Sequence, residues 1–418
     1  MKLSSIFRSL NHPNYRLYFT GQSISLIGTW MQRVAVSWLV YRMTHSPAML
    51  GLAAFAGQFP TFLLSPYAGV ITDRYNRYKI LMITQISSLI QASALAALVL
   101  AGHYTVAEII GLSALLGVIN AFDTPSRQSL IIELVDKRED LSNAIALNSF
   151  MVNMARLAGP AIAGILLASL GEGSCFLVNA FSFLAVIISL MMMKITPRAV
   201  TRHSQNALIE FRKGFAYLIH TQSLRTVIIM ISLVSFVAMP YTTLLPVFAK
   251  DIFHGNAAVF GWLNGMSGLG ALSGAFYLAS LKSGKNLLRI ISVTTFVFGL
   301  GLLFLSLSTH LGPALVFITL CGFGMMSQMA SSNILIQTTV PDEMRGRILS
   351  FYVMSFRGML PLGSFLVGYL ARRIGTPETV TIEGVLCLVI ALLFIFYLWR
   401  QRGPSNLPRE NIPDLSQQ

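Results

Sequence analysis

Acidic side chains are scarce in the apolar parts of this chain. Asp123, Glu108 and Glu383 are the only acids within or beside the long apolar runs. A carboxyl group can carry a proton through a functional cycle when burial makes it titrate near neutral pH. These three residues are therefore the candidate proton carriers. We expect Glu108 and Glu383 near the outer surface, and an ion pair between Asp123 and Arg127, one helical turn on, is the structural alternative.

Three arginines also lie inside apolar runs, and each is a functional candidate because a charge in lipid is costly. They are Arg33, Arg156 and Arg357. Each could bind a substrate carboxylate, take part in a proton relay or form a structural ion pair. For Arg33 the substrate and structural interpretations stay open. For Arg156 and Arg357, which occupy matching places in the two halves of the chain, we expect a structural role as partners of charged turns at a gate.

Uncharged polar side chains inside the apolar runs are candidates for lining a substrate cavity. Amide side chains and a tyrosine among methionines suit a large amphipathic compound better than a strongly charged one. With Arg33, the candidates are Gln22, Thr29, Gln58, Gln85, Gln91, Asn120, Asn153, Asn179, Tyr241, Thr242, Asn264, Gln328, Asn333 and Gln337.

A charged turn, Gly69 to Lys79, separates two of the apolar runs. It holds one carboxylate, Asp73, together with Arg74, Arg77 and Lys79. One interpretation is a solvated loop whose cations face anionic lipid headgroups. The other is a conformational latch, in which Asp73 caps a helix N-terminus or pairs with an arginine across a helix bundle.

The composition is that of a membrane protein. The chain has 418 residues, of which 54% are hydrophobic and 11% charged, and its mean hydropathy is +0.67. The net charge of +14 comes from cations between apolar runs, which indicates membrane topology rather than nucleic-acid binding. Cys175, Cys321 and Cys387 have no metal-ligand spacing, and no cluster typical of an enzyme is visible. We expect no metal, no cofactor and no nucleic-acid partner.

Twelve apolar runs are long enough to cross a bilayer as helices. The predicted spans are 15–41, 48–71, 80–101, 106–125, 143–170, 174–194, 226–249, 257–281, 287–308, 312–337, 347–371 and 378–399. The polar N-terminus and the long first run predict a retained span rather than a cleaved signal. A polar connector is predicted at 126–142, and an amphipathic run, Leu208 to Ile219, is expected on the membrane surface.

The chain divides into two related halves. The pattern Ser149-Phe150-x-Val152-x3-Arg156-x3-Pro160 recurs as Ser350-Phe351-x-Val353-x3-Arg357-x3-Pro361. This predicts two six-helix bundles, 1–194 and 226–399, joined by a linker, 195–225, and followed by a tail, 400–418. The charged turn has only a degraded counterpart, Lys282-Ser283-Gly284-Lys285. Most cations lie in the termini, the linker and the loops after even-numbered spans, which predicts that both termini are cytoplasmic. The pair Arg372-Arg373 is an exception.

Two motifs give the chain a family resemblance. The charged turn resembles the loop between the second and third helices of the major facilitator superfamily of transporters, with Asn76 in place of the usual glycine. The run around Gly159, Pro160 and Gly164 resembles the helix-5 motif of drug–proton antiporters in that superfamily, which is associated with export. The family's usual helix-4 arginine motif is absent, since 111–120 holds no cation.

A narrower resemblance covers the chain from the first predicted span to the last. The segments 120–130 and 143–149 are similar to those of enterobactin exporters and macrolide efflux pumps. This implies an all-α inner-membrane protein with twelve spans that exports a siderophore or drug-like compound by proton antiport and alternating access. It would act as a monomer among membrane lipids. The alternatives are an importer of a nutrient or lipid-like solute and, from another class, a membrane-embedded enzyme or sensor.

Overall fold

The computed structural model is all-helical in the residues it describes, 7–135, 137–194, 207–281 and 286–401. Its N-terminal α-helices are α1 (Pro13–Thr44), α2 (Pro47–Arg74), α3 (Arg77–Leu100), α4 (Val106–Ile131), α5 (Arg138–Leu170) and α6 (Glu172–Met192). The later ones are α7 (Ala207–His220), α8 (Gln222–Val237), α9 (Tyr241–Val247), α10 (Ala257–Ser280), α11 (Leu287–Ser306), α12 (Leu311–Thr339), α13 (Asp342–Ile374) and α14 (Thr376–Gln401). A 3-10 turn, Arg8–Asn11, precedes α1, and a π-helical segment, Phe248–Ile252, follows α9.

Ten helical stretches within the described residues are long and apolar enough to cross a membrane. They include α8, α9 and the π-helical segment taken together as 222–252. Helices α1 and α10 are of similar length but are less apolar, because α1 carries three arginines and α10 is rich in glycine and serine. The membrane-embedded character that composition predicts is therefore reproduced, while the number of spans stays a prediction.

The helices form two bundles. In the N-terminal bundle α1 packs on α5 and α6, α2 on α4, and α3 on α4 and α6. In the C-terminal bundle α10 packs on α12, α11 on α12 and α14, and α13 on α8. The bundles meet along two seams, α2 against α13 and α5 against α10. The bounds 1–194 and 226–399 for the two bundles stay a prediction.

Glycines allow the two seams to close. We call the end of the molecule with the α1–α2 and α5–α6 turns the loop end, and the end with the chain termini the terminal end. Near the loop end, a Cβ added to Gly51 would lie 2.5 Å from the carbonyl oxygen of Ser364. A Cβ added to Gly164 would lie 2.6 Å from the Cα of Gly261. Neither site accommodates a side chain without moving the backbones apart.

The α5–α10 seam parts toward the terminal end. A cleft of about 290 Å³ opens there, lined on one side by Phe150 and on the other by Phe276. The bundles are therefore in contact at the loop end, and this seam is open toward the terminal end.

Three expectations about the elements were wrong. The connector predicted at 126–142 is largely helical, because α4 continues to Ile131 and α5 already begins at Arg138. Polar residues there extend helices beyond the apolar core instead of ending them. The span predicted at 226–249 begins earlier, at Gln222, and is interrupted between α8 and α9, where the N-cap of α9 is Pro240.

The predicted amphipathic segment forms α7, which packs on α13. The rings of Phe211 and Phe215 lie 5.0 and 6.0 Å from the ring of Phe351, and Leu218 is buried. This contact fixes α7 to the C-terminal bundle. Residues 195–206, the rest of the predicted linker, lie outside the described residues, as do 282–285 and the tail from 402.

Candidate functional site

Arg33 and Arg156 share one aromatic side chain, Trp30. The guanidinium carbon of Arg33 lies 4.9 Å from the indole centre, and that of Arg156 lies 5.8 Å from it. Trp30 and Arg33 are three residues apart on α1, so both lie on one face. Gly159 brings α5 close to that face, since an added Cβ would lie 2.6 Å from the Cβ of Trp30. Pro160 follows it inside α5.

Arg357 joins this group from the C-terminal bundle. Arg33 lies close enough to Arg357, Arg156 and Arg127 for their charges to act on it. Arg33 and Arg357 are exposed to solvent although they lie in the middle of their helices, and Arg156 is half-buried. Among the described residues, no carboxylate forms an ion pair with any of these three. We call Arg33, Arg156 and Arg357 the arginine cluster.

Arg156 also lines the cleft between α5 and α10. Ser149 and Asn153 lie on the same side of that cleft, as their helical spacing predicts. The amide of Asn153 donates to the carbonyl of Ser149, 2.9 Å away. Arg156 additionally contacts Met325 of α12, with 4.0 Å between Nη2 and Sδ. Arg156 therefore lies midway along α5 and faces the space between the bundles.

Asp123 is part of a buried network in the N-terminal bundle. Its side chain accepts hydrogen bonds from Gln85 (2.6 Å) and Thr84 (3.2 Å) and lies 3.7 Å from Nε of Arg127. Arg127 also reaches the side-chain oxygen of Gln22, at 3.4 Å. The structure thus contains the Asp123–Arg127 contact that was considered as an alternative to a proton-carrying role.

A second buried network joins four helices of the same bundle. Asn179 donates to Gln32 (2.6 Å), which donates to Gln91 (3.1 Å), which donates to the carbonyl of Leu112 (3.0 Å). Asn179 and Gln91 are almost fully buried. These amides connect α6, α1, α3 and α4, so they stabilise the bundle and do not face an open cavity.

Glu383 was expected near the outer surface, and that is wrong. It is only 2% exposed, and neither carboxylate oxygen has a hydrogen-bond partner among the residues that the structure describes. It lies seven residues after the start of α14, about 10 Å into the helix at the usual rise per residue, and it faces the core of its bundle. Cys387, one turn on, and Cys321 of α12 are buried and lie close enough to interact with it electrostatically. Glu108, by contrast, is exposed and completes a capping box with Thr105 at the start of α4.

The remaining cavity candidates divide between the two bundles. Tyr241 is buried, with 3.0 Å between its hydroxyl and that of Ser267, and Gln328 is buried with no partner for either amide atom. The others bond within their own helices or are half-buried: Thr29 to Ser25, Gln58 to Ala54, Asn264 to Phe260, Thr242 to Met239, Gln337 to Asn333, and Asn120 half-buried in α4. The structure therefore does not bring all of them to one cavity.

The charged turn joins α2 to α3. Asn76 caps α3 by accepting a hydrogen bond from the backbone of Lys79, at 3.1 Å. Arg77 pairs with Glu133, with 2.8 Å between Nη1 and Oε1. Arg74 is exposed, and a Cβ at Gly69 would meet nothing within 4 Å. The side chain of Asp73 lies outside the described part of the structure, so the latch hypothesis stays a prediction.

Two contacts between the bundles at the loop end were not predicted. The hydroxyl of Tyr41, near the end of α1, donates to the carboxylate of Asp251 in the π-helical segment. One turn earlier, Trp38 stacks on Phe260 of α10 with ring centres 5.8 Å apart. Asp251 lies just after the predicted span 226–249 and was wrongly left out of the acids beside the apolar runs.

The whole chain matches a known family. A family model described as transmembrane secretion effector covers residues 4–414. The chain belongs to this family of the major facilitator superfamily. A staphyloferrin A transporter of Staphylococcus aureus is 30% identical over 91% of this chain and 95% of its own length. A macrolide efflux protein of Streptococcus pyogenes is 24% identical over 91% and 96%.

The fold agrees with this assignment. The solved structure of a bacterial homologue of the human lysosomal transporter Spinster superposes with a TM-score of 0.73 at 14% identity, over 92% of this chain and 97% of that one. The predicted resemblance to siderophore exporters and macrolide efflux pumps is confirmed. The protein is a multi-pass transporter of the bacterial inner membrane, related to siderophore and drug efflux proteins, and its substrate is a small molecule.

Proposed function

We propose that the protein exports a siderophore or amphipathic drug-like compound by alternating access, driven by inward movement of protons. The observation that carries this is that both seams are closed by glycines at the loop end, Gly51 and Gly164, while a cleft opens between α5 and α10 toward the terminal end. Two bundles that meet at one end only can rock about the closed end to open the other. The helix-5 motif and the efflux relatives favour export over import.

The orientation and the span number belong to this proposal. Ten stretches together with α1 and α10 give twelve spans, and both termini are then on the same side. Exposed cations favour the cytoplasm for the terminal end, which carries Arg16, Arg74, Lys79 and Lys137. The structure then corresponds to an inward-open state. One chain contains both bundles, so a monomer surrounded by lipid is sufficient for transport.

Glu383 is the proton carrier in this mechanism. Asp123 is already paired with Gln85 and Arg127, and Glu108 is tied to a helix N-terminus in a capping box. Glu383 alone among the three is buried with both oxygens unbonded, a setting that a neutral carboxyl group tolerates far better than a carboxylate. Hydration of this region in the outward- or inward-open state would allow the proton to leave.

Transport in proteoliposomes with an imposed pH gradient tests this function. We expect a siderophore or macrolide to move against the proton flux, and Glu383→Gln to lose this gradient-driven movement while it keeps substrate counterflow. Retained counterflow shows that the variant is folded. The matched control is Glu343→Gln at the exposed start of α13. If no candidate compound moves under the gradient, the exporter proposal fails. If counterflow occurs only inward, the importer of a nutrient or lipid-like solute takes its place.

A further inference from the structure

We propose that the arginine cluster is an anion-binding subsite that takes the carboxylate groups of the exported molecule. The substrate class is then a small molecule with two or more carboxylates, rather than a cationic amphipathic drug. This inference rests on the proposed function, which it narrows. It also replaces the expectation, drawn from the polar amides, that a strongly charged substrate is disfavoured.

The three arginines converge from three helices and both bundles. Arg33 on α1 and Arg156 on α5 are within 4.9 and 5.8 Å of the same indole, that of Trp30. Arg357 on α13 lies close enough to Arg33 for its charge to act on it. A ligand held by all three would contact both bundles at once, as a substrate that drives their rearrangement must.

The charge balance of the cluster is unfavourable without an anion. Three like charges repel one another at mid-length of their helices, and no carboxylate in the described ranges pairs with them. Arg127 is the internal contrast, because it faces Asp123 at 3.7 Å. A cation placed between membrane helices is normally balanced by a partner, so the partner of the cluster is expected to come from outside the chain.

Stacking on Trp30 leaves the guanidinium groups usable. A guanidinium that lies over an aromatic ring contacts it with its face, while its N–H groups point outward in its plane. Those edges match the two oxygens of a carboxylate in a bidentate pair. Arg33 and Arg357 are exposed to solvent in the open state, so an anion can reach them from the space between the bundles.

Ligand-induced thermal stabilisation of the purified full-length protein tests the subsite. The probe is citrate, with trimethyl citrate as its neutral counterpart and sodium chloride at equal ionic strength as the salt control. A ligand that binds the folded state raises the melting temperature. We expect citrate to raise it by several degrees more than either control. Each of Arg33→Gln, Arg156→Gln and Arg357→Gln should weaken apparent citrate binding at least tenfold.

The control variant is Arg289→Gln, at the exposed start of α11, which should bind citrate like the wild type. Arg33→Lys should bind with intermediate strength, because it keeps the charge and loses the bidentate geometry. Melting without ligand shows that each variant is folded. Equal stabilisation by citrate and its ester, or wild-type citrate binding in all three glutamine variants, would overturn the proposal.

The transport assay separates this inference from the proposed function. If erythromycin moves under a pH gradient and citrate does not bind, the anion subsite is refuted and the exporter stands. If citrate binding depends on the arginines but no compound moves under the gradient, the subsite stands and the exporter proposal is refuted.

Discussion

The contact between Gly164 and Gly261 should control which end of the transporter is closed. The two Cα positions face each other across the α5–α10 seam, and a Cβ added to Gly164 would lie 2.6 Å from the Cα of Gly261. Carbon atoms in ordinary contact are about 3.5–4.0 Å apart. Gly164→Ala therefore requires the helices to separate by roughly 1 Å at this point. Because the contact joins the bundles near the loop end, the strain falls on the state with that end closed.

The size of the effect follows from overpacking. Forcing an extra methyl group into a packed contact costs about 1–3 kcal/mol. The higher helix propensity of alanine does not offset this difference, because α5 stays helical in both states. A bias of that size changes the ratio of the two states by about 5- to 150-fold. If the wild type is mainly closed at the loop end, Gly164→Ala should therefore contain measurable amounts of both the closed and the open state.

Double electron–electron resonance would measure the opening of the loop end as the distance between spin labels at His103 and Thr309. Both residues are exposed in loops at the loop end, one in each bundle. Gly164→Ala should add a longer distance component. Gly111→Ala is the matched control, since a Cβ at Gly111 meets nothing within 4 Å. An unchanged distance distribution in Gly164→Ala, with the protein folded, would refute the argument that this contact holds the end closed.

Three further substitutions test single contacts. Tyr41→Phe removes the hydroxyl that binds Asp251 between the bundles. It should destabilise the state with the loop end closed by about 1 kcal/mol. The same label pair would then show the longer distance component, and the absence of that component counts against the contact. Asp123→Asn should lower the melting temperature because Arg127 loses its partner, at a cost of about 1–3 kcal/mol. If it instead abolishes the pH dependence of transport, Asp123 carries protons. Asp73→Asn should weaken the outward-open state, and labels across the terminal end that report no change would exclude the latch.

The spans were predictable because hydropathy acts locally. Each apolar run in the sequence is helical, although 226–249 is divided between α8 and α9, and α10, predicted at 257–281, ends at Ser280. The helix ends were less predictable where polarity and helicity disagree. Between Ile131 and Arg138 the predicted connector shrank, because a helix can continue into water once its polar side chains are solvated. Pro240 indicates a break before α9, but the apolar residues on both sides of it led to the prediction of one continuous span.

The depth and the grouping of charged residues could not be predicted. Glu383 is the sixth residue of the span predicted at 378–399. A single sequence does not show whether that position faces water, lipid or the bundle core. The three arginines were each identified from their cost in lipid. Their convergence depends on how α1, α5 and α13 pack, and on Gly159, whose close contact with Trp30 brings Arg156 to the indole that Arg33 already contacts.

The two bundles differ in how their buried polar groups are satisfied. In the N-terminal bundle, Asp123 and the amides from Gln32 to Asn179 form connected networks, which make a bundle rigid. Three buried polar atoms described there lack a hydrogen-bond partner, namely Nε2 of Gln22, Oγ of Ser46 and Oε1 of Gln85.

In the C-terminal bundle, the buried side chains of Ser235, Ser327, Gln328, Ser331 and Glu383 have polar atoms without partners. Each such atom costs about 1–3 kcal/mol, so conformations that hydrate or pair them gain stability. The C-terminal bundle is therefore the half whose interior should change during the cycle. It is also the half that holds Glu383. Protonation of Glu383 therefore acts on the bundle with more buried polar atoms that lack partners in the inward-open state.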